Sequence, residues 1–205
     1  MDLSEYEASE KVPANERVKI HMAYFTKENF VGRFIRGYKA KKCLLTKPAA
    51  VDLLKAQEKL LKQGFSLIMF DCYRPQKAVN EFVAWCYDES DTRTKKDYYP
   101  DIENKRDLLN GYIASRSGHS RGSTLDLGLV HAETGKLVDM GSRFDFFGEI
   151  SHTRSPLITA KQKANRERLL NAFEGTGFKN YSMEWWHFSL RDEPFKDTYF
   201  DFDVE

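Results

Sequence analysis

The chain has 205 residues, which suits one globular domain, and 41% of them are hydrophobic, so it can bury a sizeable core. A formal net charge of only +1 argues against a nucleic-acid-binding protein that relies on a broad basic face. No stretch approaches 18 consecutive apolar residues, so we expect no membrane-spanning helix. The composition therefore predicts a single domain over residues 1–205, with neither a nucleic-acid nor a membrane partner.

The N-terminal segment and the cysteines bear on cellular location. The segment MDLSEYEASEKVPANERVKI has no basic stretch followed by an apolar one, so it does not resemble a secretory signal. The three cysteines, Cys43, Cys72 and Cys86, are odd in number and lack C-x-x-C spacing. We expect them to be free thiols in a reducing compartment, and both observations favour a cytoplasmic protein.

The first half of the chain alternates helical and strand patterns. Residues 47–63 have one apolar face, with Thr46 as a plausible N-cap, and predict a helix. Residues 65–73 form an almost continuous apolar run and predict a buried central strand. Pro75 opens a second helix, and residues 102–110 predict a weaker one.

The second half predicts two further strands and one helix. Residues 124–130 predict a strand, with 136–140 as a candidate hairpin partner across a turn. Residues 160–174 predict a helix that follows a capping-box spacing, T-x-x-Q. Residues 181–190 predict a last strand. Because helices and strands mix without a strict βαβ alternation, we expect an α+β fold with helices packed on a small, mainly antiparallel sheet.

One residue does not fit the strand at 124–130. If side chains alternate, Leu125, Leu127 and Leu129 share one face and Asp126 lies on the other. An ionised carboxylate inside a sheet is costly unless it is paired or binds a cation. Taken alone, Asp126 on a wet surface is the simpler interpretation.

Two distant histidines favour a metal site instead. His119 lies between glycines that permit a tight loop, and the run MEWWHFSL supplies Glu184 and His187. A catalytic zinc usually has three protein ligands and a water, and His and Asp are suitable ligands. We therefore predict that His119, Asp126 and His187 bind one zinc ion per chain in a cleft, with Glu184 as acid/base. Glu184 and His187 are three residues apart and would face opposite sides of a regular strand. Both can face one metal only if the chain turns between them, so we place Glu184 before the last strand and His187 on it.

These residues lie in blocks that resemble the D-alanyl-D-alanine dipeptidases of the vancomycin-resistance (VanX-like) type. That group is related to the D-Ala-D-Ala carboxypeptidases and the hedgehog N-terminal domain. The resemblance runs from about Tyr24 to the end of the chain, through FDCYRP, SGHSRGSTLDL, MGSRFDFFGEISH, YSMEWWHFSLRDEP and YFDF. The wider superfamily shares S-x-H-x6-D and E-x-x-H, whereas DCYRP and MGSRFDF are specific to the dipeptidases. Thr124 replaces the Ala of the wider motif, and we expect it to tune packing rather than abolish the chemistry.

The resemblance implies the same three zinc ligands and a catalytic role for two residues. Glu184 would be the base, and Arg74 would stabilise the transition state, with Asp71 as its orienting partner. Asp145 is suited to the ammonium end of a dipeptide, and a serine and a tyrosine hydroxyl are suited to its carboxylate. The substrate-binding set is Asp71, Ser117, Asp145, Tyr24 and Tyr38.

The implied activity is hydrolysis of D-alanyl-D-alanine to two D-alanines, in cell-wall precursor metabolism or vancomycin resistance. Two alternatives stay open. The chain could be a zinc D,D-carboxypeptidase or endopeptidase acting on wall peptides, or a zinc-stabilised binding domain without turnover, as the hedgehog relative is usually regarded. The presence of both Glu184 and Arg74 favours an enzyme.

Overall fold

A computed structural model describes residues 1–3 and 16–205. Residues 4–15, most of the segment in which we predict no secretory signal, lie outside the described residues. The described chain combines helices with a five-stranded sheet in the order β1-β2-β3-β5-β4, so the predicted α+β class is confirmed. Among these residues, no helix has both the length and the apolarity that crossing a membrane requires.

The sheet is mixed but mainly antiparallel. Only the β1–β2 pair is parallel, while β2–β3, β3–β5 and β4–β5 are antiparallel. The strands are β1 Lys19–Ile20, β2 Phe65–Asp71, β3 Thr124–His131, β4 Phe178–Asn180 and β5 His187–Leu190. The α-helices are α1 Lys47–Leu61, α2 Gln76–Tyr87, α3 Lys95–Tyr98 and α4 Ala160–Phe173. Short 3₁₀ helices cover Ala23–Phe25, Lys105–Leu109, Gly118–Arg121 and Glu149–Ser151.

The three long helices lie close to their predicted positions, whereas two strand predictions need correction. The predicted hairpin partner at 136–140 is not a strand, because only Leu137 bridges Val130 there. The last strand begins at His187 and not at 181, because residues 181–186 form a turn. The predicted helix at 102–110 is a short 3₁₀ helix.

The central strand has the alternation that its sequence predicts. Leu125, Leu127 and Leu129 are at most 1% exposed and belong to the main hydrophobic core. α1 packs against β2 and against α4, and it adds Leu53 and Leu60 to that core. Burying each such side chain stabilises the fold by roughly 1.5–3 kcal/mol relative to leaving it exposed. The leucines hold one face of β3 in this core, so the opposite face of the strand can carry polar groups.

The cysteine prediction is wrong for two of the three thiols. Cys43 and Cys72 form a disulfide, and Cys86 is a buried free cysteine. Cys43 lies just before α1 and Cys72 just after β2, and the Tyr73 amide donates to the Leu44 carbonyl at 3.0 Å. This backbone contact brings the two cysteine Cα atoms to 5.2 Å, within the range that a disulfide requires. The cysteines therefore do not support a reducing compartment.

Candidate active site

Three polar side chains lie in one row across the middle of the sheet. Asp71 on β2 pairs in register with Asp126 on β3, and Asp126 pairs with His187 on β5. Residues directly opposite each other on neighbouring strands share a face, so the three side chains lie together. The register shifts between Met69 and Asp71, a bulge of the kind that re-aims side chains next to active sites. Asp126 is only 2% exposed, so the wet-surface interpretation of this residue is wrong.

His119 reaches the same point from a tight 3₁₀ turn. Ser117 caps this turn, since its Oγ accepts a hydrogen bond from the His119 amide at 3.2 Å. His119 Nδ1 donates to the Cys72 carbonyl at 2.7 Å, and Nε2 lies 3.2 Å from Asp126 Oδ2. Because Nδ1 carries the proton, Nε2 presents its lone pair, as in a metal-binding histidine.

The donor atoms fit a metal ion. Ligand atoms of His119, Asp126 and His187 all lie within 4.8 Å of one another. Among the described residues, His119 Nε2 and Asp126 Oδ1 are buried and have no hydrogen-bond partner, which is costly for polar atoms unless they bind a ligand. His187 Nδ1 lies 3.1 Å from Asp126 Oδ1. Two imidazole nitrogens and one carboxylate form a donor set that suits zinc.

Glu184 occupies the turn that precedes β5, where the sequence analysis places it. The His187 amide donates to the Glu184 carbonyl at 3.3 Å, which closes the turn. Trp185 and Trp186 are 3% and 1% exposed, and their burial anchors the turn. Glu184 Oε2 consequently lies 3.4 Å from His187 Nδ1, close to His119, Asp126 and His187, which we call the candidate metal-binding cluster.

The site carries an excess of buried negative charge. Burial, reinforced by neighbouring carboxylates, raises the pKa of Glu184 and of Asp145 well above their usual values. Burial alone would also raise the pKa of the Asp126 carboxyl, but His119 and His187 outweigh it and hold that pKa below its usual range. When ionised, the four carboxylates of Asp71, Asp126, Asp145 and Glu184 exceed the one guanidinium of Arg74 by three charges. This arrangement is suited to binding cations.

Arg74 joins two of these carboxylates. Its Nε donates to Asp71 Oδ2 at 2.9 Å, and its Nη2 donates to Asp126 Oδ2 at 3.2 Å. Its guanidinium carbon lies 5.0 Å from the centre of the Tyr24 ring, a cation–π distance. Tyr38 donates its hydroxyl to Asp71 Oδ1 at 2.7 Å. Asp71 and Tyr38 do not line the cleft, so the structure places these two predicted substrate-binding residues behind Arg74, as its support.

The other predicted residues line a small cleft beside the candidate metal-binding cluster. Its volume is about 280 Å³, just below the range of about 300–1,000 Å³ that is usual for small-molecule pockets. Tyr24, Arg74, Ser117, Asp145 and Glu184 are on its walls. Tyr24 donates its hydroxyl to Asp145 Oδ2 at 2.9 Å, and both residues are almost fully buried, which closes this end of the cleft.

The cleft also has aromatic walls that the sequence analysis did not select. Phe147, Tyr112, Tyr181 and Trp186 line it. The last two lie inside the YSMEWWHF block, so their position beside Glu184 could have indicated them. Phe147 lies in the MGSRFDFFGEISH block two residues after Asp145, which could likewise have indicated it, whereas Tyr112 lies in an irregular segment with no such signal.

Thr124 explains why a glycine is needed in the metal-binding turn. Its hydroxyl shares a hydrogen bond of 2.9 Å with the Ser189 hydroxyl on β5. A Cβ added at Gly118 would lie 2.7 Å from Thr124 Oγ1, too close for any side chain. The threonine therefore packs directly under the turn that carries His119.

A buried carboxylate, an arginine and a cluster that could hold a metal ion meet at one small cleft, and peptidase active sites are built from groups of these kinds. Comparison with known proteins supports the interpretation of this site as that of a peptidase. Residues 10–205 match the family model described as D-ala-D-ala dipeptidase. The chain therefore belongs to the D-ala-D-ala dipeptidase family and is a peptidase.

Individual relatives cover nearly the whole chain. The D-alanyl-D-alanine dipeptidase of Enterococcus faecium is 46% identical over 182 residues, which are 89% of this chain and 90% of the relative. Its counterpart in Enterococcus faecalis (strain ATCC 700802 / V583) is 45% identical over 88% of this chain and 90% of the relative. That of Streptomyces coelicolor is 42% identical with the same coverage.

Proposed function

We propose that this chain is a zinc-dependent dipeptidase that hydrolyses D-alanyl-D-alanine to two D-alanines, and that one such domain spans residues 1–205. His119, Asp126 and His187 bind one zinc ion. The observation that carries this proposal is the cluster of these three residues beside a cleft of about 280 Å³, with His119 Nε2 and Asp126 Oδ1 buried and without a hydrogen-bond partner among the described residues. The names of the relatives supply the substrate.

Glu184 is the general base and then the general acid. When bound, zinc would lower the pKa of water to around 7 and polarise a peptide carbonyl. Glu184 lies 3.4 Å from His187 and lines the cleft without belonging to the metal-binding cluster, so it is free to move protons. It takes a proton from the attacking water and passes it to the leaving amine.

Arg74 stabilises the negative charge that develops on the carbonyl oxygen. Its guanidinium lines the cleft and is held from behind by Asp71 and beside by Asp126. A donor that is already in position costs no reorganisation when the oxyanion forms. Asp71, with Tyr38 behind it, therefore acts through Arg74.

The two ends of the cleft select a free dipeptide. Asp145 binds the substrate ammonium at the closed end, where Tyr24 also holds its carboxylate. Ser117 lies at a half-buried position, and its Oγ accepts from the His119 amide, which leaves its hydroxyl proton free for the substrate carboxylate. A zinc ion would supply two of the three positive charges that the site lacks, and the substrate ammonium would pair with Asp145.

The decisive assay is D-alanine release from four substrates, with and without a chelator. The substrates are D-Ala-D-Ala, L-Ala-L-Ala, acetyl-D-Ala-D-Ala and a stem pentapeptide ending in D-Ala-D-Ala; total alanine is measured for the L,L substrate. We expect rapid hydrolysis of free D-Ala-D-Ala alone, stopped by the chelator. Comparable rates with the pentapeptide would favour the carboxypeptidase alternative, and metal binding without any turnover would favour a binding domain.

We place this activity in cell-wall precursor metabolism or vancomycin resistance, because D-Ala-D-Ala is a unit of wall peptides. The proposed compartment is the cytoplasm, where such precursors are assembled. Cell fractionation tests this location, and protein recovered mainly outside the cytoplasmic fraction would contradict it.

A further inference from the structure

A buried arginine that does not line the cleft contacts the segment that carries Asp145. Arg166 lies on α4 and is 2% exposed. Its Nε donates to the Met140 carbonyl at 2.7 Å, its Nη1 to the His152 carbonyl at 2.6 Å and its Nη2 to the Ile150 carbonyl at 2.8 Å. One guanidinium therefore links both ends of the segment 140–152, which we call the Asp145 loop.

The partners of Arg166 are unusual for a buried arginine. Within the part of the chain that the structure describes, no carboxylate lies within ion-pair distance of it. Burial lowers its pKa to about 10, although Asp139 opposes this shift. A buried cation bonded only to main-chain carbonyls is costly for stability. We therefore expect Arg166 to act by holding these carbonyls in the positions that its planar guanidinium requires.

The Asp145 loop needs such enforcement. Asp145 has a backbone φ of 60°, in the left-handed region that few non-glycine residues adopt. Such a conformation persists only where the surrounding structure holds it. A second link closes the same loop, because Ser142 and Ser151 share a 2.8 Å hydrogen bond and Trp185 Nε1 donates to Ser142 Oγ at 2.9 Å. This second link ties the loop to the turn that carries Glu184.

We propose that Arg166 is a positioning residue for substrate binding: it closes the ends of the Asp145 loop so that the Asp145 carboxylate faces the ammonium group of the dipeptide. The inference rests on the proposed function and extends it to a residue outside the cleft. His119, Asp126 and His187 lie outside this loop, so a loosened loop leaves the metal cluster in place.

The test compares Arg166→Lys with a matched control on the same helix. Lysine keeps the charge, but its compact ammonium cannot span three separate carbonyls. The control is Arg168→Met, because the half-buried Arg168 contacts Asn165 and the Phe65 ring but not the loop carbonyls. Steady-state kinetics with D-Ala-D-Ala and acetyl-D-Ala-D-Ala are measured together with zinc content.

We expect Arg166→Lys to raise KM for free D-Ala-D-Ala by roughly tenfold or more while kcat changes by less than about threefold, since ground-state ammonium binding is lost. The acetylated substrate, which has no ammonium, should be unaffected, and zinc should stay at one per chain. Arg168→Met should match the wild type. Adding Arg166→Lys to Asp145→Asn should cause little further loss, because the two residues act through one contact.

Three outcomes would overturn the role of Arg166. They are an equal loss with both substrates, a loss that adds in full to that of Asp145→Asn, and a loss of zinc along with activity. Each would show that Arg166 supports the fold generally. Failure of the proposed function looks different, because the wild-type protein itself would then not hydrolyse D-Ala-D-Ala.

Discussion

Removing Arg74 should lower both kcat and the free energy of unfolding, and a second substitution should restore only the stability. In Arg74→Ala the cleft loses the donor that faces the developing oxyanion, and loss of one such donor typically lowers kcat by about 10²–10³-fold. Because this charge exists fully only in the transition state, KM should change little.

The same substitution leaves a charge without its partner. Asp71 is fully buried, and it loses an ion pair of 2.9 Å while it keeps the Tyr38 hydroxyl. Breaking a buried ion pair by removing one partner costs roughly 3–5 kcal/mol, so Arg74→Ala should lower the free energy of unfolding by about that amount. Replacing the carboxylate as well, in Arg74→Ala/Asp71→Asn, removes the unpaired charge and should recover most of the stability.

Urea unfolding and steady-state kinetics on the two variants test the argument together. We expect the double variant to regain stability while kcat stays as low as in Arg74→Ala. Recovery of kcat along with stability would show that Arg74 has only a structural role. A pure KM effect would show instead that Arg74 binds the ground-state carboxylate of the substrate.

Three further predictions follow from the site. Glu184→Gln should keep zinc but lose turnover, whereas His187→Ala should lose zinc, and metal analysis of both variants would reveal reversed roles. Asp145→Asn should lower kcat/KM for free D-Ala-D-Ala and reduce its ratio to kcat/KM for the acetylated dipeptide, because asparagine has no charge that selects the substrate ammonium. An unchanged ratio of the two kcat/KM values would contradict this. Cys43→Ser should lower the free energy of unfolding by about 2–4 kcal/mol and weaken zinc retention against a chelator, since His119 Nδ1 bonds to the Cys72 carbonyl. Alkylation of the denatured, unreduced protein should label one thiol, and three labelled thiols would rule out the disulfide.

The features that the sequence predicted well are set by local interactions. α4 begins with the capping box formed by Thr159 and Gln162, and α1 begins after Thr46 with a proline in its first turn. The Thr46 hydroxyl, however, bonds the Ser123 hydroxyl at 2.7 Å and does not cap the helix. The alternation of β3 placed Asp126 opposite the leucines because a period of two needs no tertiary information. The sequence analysis predicted a turn at Glu184 because Glu184 and His187 are three residues apart and must both face one metal.

The features that were missed depend on contacts between distant residues. β1 has two residues and β4 has three, too few for a periodic signal. The cysteine pair is 29 residues apart, and only the backbone contact beside Leu44 brings it together. Nothing in the sequence around Tyr38 indicates that its hydroxyl supports Asp71 and does not line the cleft. Arg166 has the sequence context of a surface helix, and its burial follows from the path of the Asp145 loop.

The most direct test of the proposed function is a zinc titration of chelator-stripped protein with D-Ala-D-Ala hydrolysis as the readout. We predict no turnover without metal and a linear rise that levels off at one zinc per chain, because one His/Asp/His cluster is present in the described residues. Full activity in the stripped protein, or a plateau at two equivalents, would contradict the proposed metal site.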